Sequence, residues 1–239
     1  MDKNLNNLLK WSIENTAPSS TSYTVTAREN PSTNENTTTT GAADVPGAAP
    51  RPIDPAVMNA LFGGPSEAEL MKAAIEVITS PTSDEVPLDS KLTAFDNLEQ
   101  LIESLDNANN LEPLALWSPL LSMLDTEEHH DLRRMAAWCV GTAVQNNVRT
   151  QERLLAMGGL PRLVRVATRE DEYESVRRKA VYALSSAVRN YQPAMDVVAD
   201  ELHKRSVHKE KKQVDATDMD AVDEVINGLR ELVAAATKS

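Results

Sequence analysis

A single cysteine, Cys139, in 239 residues leaves no possible intrachain disulfide. A reducing compartment is therefore expected, because disulfide-built folds belong to oxidising ones. Aromatic residues make up only 4 % of the chain, too few for the aromatic and β-branched pairs that stabilise a sheet sandwich. Basic residues are also short: 24 Lys and Arg face 36 Asp and Glu, for a net charge of −12. That balance excludes phosphate-driven binding to nucleic acid and adhesion to anionic lipid. No apolar run approaches the roughly 20 residues that span a bilayer. The first residues, Met1 to Leu5, carry neither a basic leader nor an apolar core, so a cytoplasmic protein is expected. Enzyme signatures are missing too. The chain has no glycine-rich phosphate loop, no His-Glu-x-x-His, no Cys-x-x-Cys and no Gly-x-Ser-x-Gly. No enzyme, cofactor or metal is expected.

What is present is helical. Leu5, Leu8, Leu9, Trp11 and Ile13 mark a short amphipathic helix over residues 1–14, marginal alone and expected to order on binding. From Thr16 to Thr40 thirteen residues are Ser or Thr, and five prolines and glycines follow between 46 and 55. Residues 15–55 therefore read as a disordered linker. The sequon Asn36-Thr37-Thr38 within it is read as chance without a secretory signal. Folded sequence is expected over residues 57–200, from Val57 to Phe62 onward. Ser66 is placed to cap a helix with Glu67 and Glu69 in its first turn, and Pro81 to end it.

The chain also repeats itself. Residues 133–146, Arg-Arg-Met-Ala-Ala-Trp-Cys-Val-Gly-Thr-Ala-Val-Gln-Asn, align without gaps on residues 177–190, an offset of 44 with six identities. Lys91–Ala94 and then Leu98 and Leu101 align more loosely at 42. Pro119 and Pro161 fall at matching positions, where a helix would start. A period in the low forties, with one long helix and two shorter ones, is that of armadillo or HEAT repeats. Each triplet leaves an apolar face that the next one covers, giving an all-α solenoid with a groove. Leu132, Met135, Ala136, Cys139, Val140 and Ala143 form such a stripe, which makes Cys139 an inert packing thiol. Met157–Pro161 reads as an interhelical turn, and His129-His130 as a solvated loop with no metal set. The basic run 203–212 reads as a solvated helix face, and residues 201–239 as a charged stretch with a capping helix. The arginine pairs 133–134 and 177–178 admit two roles, bridging adjacent helices or forming a basic row along the groove.

Several segments carry a family resemblance: Leu8–Ile13 (Leu-Leu-Lys-Trp-Ser-Ile), Leu61-Phe62-Gly63-Gly64, Glu69–Lys72, Ala94–Glu99, Leu105–Asn110 and Gly141–Asn147. In these the chain resembles the fungal Fes-type, Hsp-binding-protein class of armadillo nucleotide exchange factors for DnaK-like chaperones of the heat-shock protein 70 kind. The resemblance implies that a concave armadillo surface grips the chaperone's ATPase domain and that no bond is made or broken. It also implies a flexible N-terminal arm that helps expel bound polypeptide, a role that falls on Leu8, Leu9, Trp11 and Ile13. Chaperone contacts are expected at Asp106, Asn107, Ala108, Asn109 and Asn110, with Ala108 at a family interface position. Asn146, Asn147, Arg177 and Asn190 follow, and helix C-capping is an equal reading of the asparagines. Comparable members carry further repeats after the equivalent of Asn190. A monomer that binds neither nucleic acid nor membrane is expected. The alternative is a peptide-binding armadillo adaptor of the importin or catenin kind. That alternative is weakened because Thr142 and Ser186 stand where the asparagine amides of such a groove would be.

Overall fold

The computed structural model describes residue 63, residues 65–205, residue 207 and residues 213–236. The chain divides at Gly64 into two units, and the fold described is that of the second. The amphipathic segment at 5–13, the linker at 15–55 and residues 57–62 lie outside the described residues.

Helix α1 (Glu67–Thr79) begins with a reciprocal capping box. Ser66 Oγ accepts the Glu69 N–H while the Glu69 carboxylate accepts the Ser66 N–H at 2.8 Å, satisfying two otherwise orphaned donors. Met71, Ala74, Ile75 and Ile78 recur at helical spacing and are all buried. Helix α2 (Leu88–Ile102) follows Pro87 and buries Ala94, Phe95, Leu98 and Ile102.

Two triplets of short, short and long helix come next. The first is α3 (Leu105–Asn110), α4 (Trp117–Ser122), extended by a 3-10 turn (Met123–Asp125), and α5 (His130–Ala143). The second is α6 (Val148–Ala156), α7 (Gly159–Thr168) and α8 (Glu174–Val188). Pro119 and Pro161 sit in the first turns of α4 and α7, where a missing N–H costs no helical bond. Gly158 turns the chain between α6 and α7 at φ 67°, a conformation glycine adopts freely.

The long helices α2, α5 and α8 begin at residues 88, 130 and 174, intervals of 42 and 44. They lie side by side and parallel, with equivalent positions level. Cys139 Sγ sits 3.7 Å from the Phe95 carbonyl, and Thr142 Oγ1 donates to Glu99 at 2.8 Å. The stripe from Leu132 to Ala143 is buried at each expected position. Gly141 sets the approach of α5 to α8. A Cβ there would fall 2.5 Å from Tyr182 Cε1 and 3.1 Å from Ala183 Cα. Burial drives the Cys139 thiol well above its ordinary pKa, so it stays a neutral packing group.

The flanking helices run the other way. Asn107 Nδ2 bridges Glu67, at the start of α1, and the Leu101 carbonyl, near the end of α2. At the other end, α9 (Gln192–Lys204) follows α8, and α10 (Met219–Ala236) packs on α8 and α7. Arg189, past the end of α8, pairs with Asp223 near the start of α10. Arg177, near the start of α8, reaches the Leu232 carbonyl near the end of α10. Between α9 and α10 the described backbone is held by the Asn190 N–H, which donates to the Ala216 carbonyl at 2.9 Å, and by one side chain. Gln192 donates to the Val214 carbonyl and accepts the Ala216 N–H, each at 2.8 Å. The last turn of α9 already contains His203 and Lys204, so the helix runs past residue 200 into the basic run. No strand occurs among the described residues.

One reading is corrected. His129-His130 is not a solvated loop. His129 is the N-cap of α5, its Nδ1 accepting the Asp131 N–H, and both imidazoles are half-buried. Because His129 lies outside the helix proper, the rings do not diverge: they sit 4.3 Å apart, and His130 stacks on Tyr173 at 3.9 Å.

Candidate functional site: the long-helix face

The structure separates the two roles left open for the arginine pairs. Arg133 is buried, its Nε and Nη2 paired with both carboxylate oxygens of Glu172 at 2.6 and 2.9 Å, and its Nη1 on the Thr126 carbonyl. Lys91, at the same repeat position on α2, is 1 % exposed and meets Glu128 at 2.7 Å. Arg177, the next in the series and 2 % exposed, donates to the Ala167 carbonyl at 3.1 Å and to Leu232. Lys91 and Arg133 thus staple one repeat to the next. Burial opposes the Glu172 charge, yet the Arg133 guanidinium and the Tyr173 N–H hold its carboxyl below the ordinary value of 4.5. Of the second residues of the pairs, Arg178 turns outward with its side chain 74 % exposed, while Arg134 is half-buried and holds Asp131.

Among the described residues, the depressions that line the long helices include these three. One lies between α1 and α2, edged by Leu70, Val77, Asn97 and Leu101. The second, about 450 Å³, opens where α2, α3, α5 and α8 meet and is edged by Glu103, Ala108, Thr142, Gln145, Asn146 and Tyr182. The third, between α8 and α10, is edged by Arg178, Val181, Tyr182, Arg230 and Val233. Tyr182 belongs to the last two and donates to Gln145 at 3.3 Å.

Apart from the half-buried Asn109, the expected contact residues fall into two groups. Asp106, Asn110, Asn146 and Asn190 are exposed. Asn146 and Asn190 both hold left-handed backbone, φ 53° and 57°, just past the ends of α5 and α8, so the capping reading accounts for their side-chain type. Asn107, Ala108, Asn147 and Arg177 are buried. Asn147 Nδ2 donates to the half-buried Asn109 at 3.2 Å, and this pair ties α6 to α3. Ala108 edges the second depression from below. Asn107, Asn147 and Arg177 direct polar groups to neighbouring elements of the chain.

Sequence reasoning missed two features. Gln151 donates to the Ser186 and Arg189 carbonyls, closing the end of α8 from α6. Lys179 stands 3.9 Å above the Trp138 ring and 5.5 Å from Tyr182, covering the aromatic that a peptide-binding groove would present. The repeat alignment of Trp138 with Tyr182 was the available signal, but Lys179 lies outside that pair. His129, His130 and Asp131 bring their ligand atoms within 4.8 Å. There Arg134 already holds the Asp131 carboxylate at 2.8 Å, and the Asp131 N–H takes His129 Nδ1.

A stack of helical triplets whose long helices lie parallel is the build of a helical-repeat protein. Residues 5–111 match the family described as nucleotide exchange factor Fes1, and residues 107–200 match the SIL1/FES1/HPBP1 C-terminal domain. The chain is 60 % identical to the Hsp70 nucleotide exchange factor fes-1 of Neurospora crassa, covering 99 % of this chain and 100 % of that protein. It is 58 % identical to the Hsp70 nucleotide exchange factor FES1 of Gibberella zeae, over 98 % of this chain and 99 % of that one. The chain belongs to the Fes1 nucleotide exchange factor family. The FES1 protein of Eremothecium gossypii is 47 % identical over 62 % of this chain but is matched over only 50 % of its own length. Among solved structures, an engineered protein superposes with a TM-score of 0.50 at 16 % identity, covering 75 % of this chain and 71 % of that one. That likeness concerns the fold alone. No helix among the described residues is long and apolar enough to cross a membrane.

Proposed function

We propose that this chain is a nucleotide exchange factor for a cytosolic heat-shock protein 70, acting as a monomer. It binds the chaperone's ATPase domain through the long-helix face and accelerates ADP release. The observation that carries this reading is the end-to-end similarity to the Neurospora crassa and Gibberella zeae exchange factors. The mechanism is linkage and needs no catalytic group: whatever weakens ADP on the chaperone weakens this protein on the ADP-bound chaperone by the same factor. A thousandfold loosening corresponds to about 4 kcal/mol of differential binding, within reach of contacts over an ordinary interface. The exposed Asp106, Asn110 and Asn146 make contacts beside the second depression, and Asn190 extends the surface towards α10. Asn107, Ala108, Asn147 and Arg177 hold the helices that present them. Residues 1–55, around Leu8, Leu9, Trp11 and Ile13, promote release of bound polypeptide.

The test is stopped-flow release of a fluorescent ADP analogue from a chaperone ATPase domain with the full chain. Strong acceleration is expected. It should be lost on Glu103→Arg, an exposed charge reversal at the rim of the depression that leaves the core untouched. Absence of acceleration by the folded wild-type chain would overturn the reading.

A further inference from the structure

The row of basic residues is repeated with the aromatics. Arg134 and Trp138 are four residues apart on α5, and Arg178 and Tyr182 stand at the same spacing on α8, so each pair occupies one helical face. The corresponding positions on α2 are Leu92 and Asp96, and Asp96, Glu103 and Asp106 are exposed at that end. The long-helix face therefore differs along its length: Asp96, Glu103 and Asp106 lie over α2 and α3, while α5, α8 and α10 carry Lys179, Arg230 and the arginines Arg134 and Arg178 with their own partners Asp131 and Glu174. In a chain of net charge −12, this concentration of cations runs against the average surface.

Lys179 lies at its centre and is unlike its neighbours. Arg134 is paired with Asp131 and Arg178 lies 3.5 Å from Glu174. Among the described residues no carboxylate lies within ion-pair distance of the Lys179 ammonium, which rests on the Trp138 and Tyr182 rings instead. A ring face attracts the cation but accepts no strong hydrogen bond, so the three N–H donors remain to be used. Partial burial and the like charge of Arg134 lower the Lys179 pKa while Glu99 draws it up; the direction is that of an ammonium short of anionic company.

We infer that Lys179, seated on Trp138 and Tyr182 and flanked by Arg134 and Arg178, is the anchor for an acidic side chain of the chaperone's ATPase domain. This rests on the exchange reading above and adds to it the chemistry of the contact and the orientation of the partner. The rings hold the ammonium in place before binding, so little side-chain freedom is lost when the carboxylate arrives. The acidic end over α2 and α3 repels the same group, which fixes the direction in which the lobe lies along the face.

The experiment measures ADP release against concentration of the full chain at low and high salt, for wild type, Lys179→Met, Lys179→Arg and Arg178→Gln. Lys179→Met should raise the half-maximal concentration about tenfold, the loss of one charged hydrogen bond. It should also flatten the salt dependence and leave the maximal rate unchanged. Lys179→Arg should restore most of the affinity. Arg178→Gln, on an exposed side chain, should give a smaller shift of the same kind, and this holds the test open if Lys179→Met fails to fold. Carbodiimide coupling of the nucleotide-free complex should join Lys179 Nζ to an Asp or Glu of the ATPase domain. An active wild type with Lys179→Met and Arg178→Gln both unchanged at every salt, or coupling that never involves Lys179, would overturn the inference and leave the exchange reading standing. An inactive wild type would instead remove the exchange reading itself.

Discussion

The same helix, α8, is held in two different ways on its two sides. Towards α5 the contact is parallel and level, and the buried cation Arg133 meets a fully engaged carboxylate, Glu172. Towards α10 the contact is antiparallel. There the equivalent cation, Arg177, finds two carbonyls, one of them at 3.4 Å. The first joint joins like to like, and its polar groups are matched one for one. The second closes the stack: α10 covers the apolar side of α8 with Val222, Val225, Ile226, Leu229 and Val233, and offers Arg177 a carbonyl where Glu128 and Glu172 offer carboxylates to Lys91 and Arg133. A reversed helix ends the series because its outer side does not reproduce the surface that the next triplet would need.

This contrast can be broken most sharply at Glu172. Glu172→Ala leaves Arg133 buried without its counter-charge and is expected to cost about 3 kcal/mol, read as a lowered urea midpoint. Crowding the same joint comes next. Gly141→Ala places a methyl against Tyr182 and the α8 backbone and should cost about 2 kcal/mol. A Tyr182→Leu partner change should recover part of it in a double-mutant cycle.

The pH dependence sharpens the comparison further. The Glu172 carboxyl sits below its ordinary value of 4.5, so its contribution is present above the unfolded value and is lost as pH falls through the folded one. Wild-type stability should therefore decline from about pH 5 downward. Glu172→Gln should be less stable at pH 7 and should decline less steeply. Arg177→Met, at the second joint, removes a buried charge that has no carboxylate, and its cost should stay within about 1 kcal/mol. Smallest of all, Asn146→Gly exchanges one left-handed residue for another and should change stability by only a few tenths of a kcal/mol.

The repeat itself was legible because Lys91, Arg133 and Arg177 recur with the apolar stripe around them. Helix type, the cap at Ser66 and the turn at Gly158 followed from local chemistry that acts over a few residues. The reversed direction of α1 and α10 was not legible, since an apolar stripe reads the same from either end. Nor was the Arg133–Glu172 pair, whose members are 39 residues apart and meet only once the triplets stack. For the candidate site, residue type misled where polar groups are used internally. Asn107, Asn147 and Arg177 look like surface residues in sequence, yet each is buried and bonded to a neighbouring helix or loop. The two histidines misled for a related reason, because an N-cap residue leaves the helical path and brings adjacent rings together.

The central claim is that partner binding uses the long-helix face. Hydrogen–deuterium exchange of the full chain, alone and with a nucleotide-free ATPase domain, tests it most directly. New protection is expected in α2–α3, the second half of α5 and α8 from Arg178 to Ser186, with α6 and α7 unchanged. Protection confined to residues 148–168, on the short-helix side, would contradict the account.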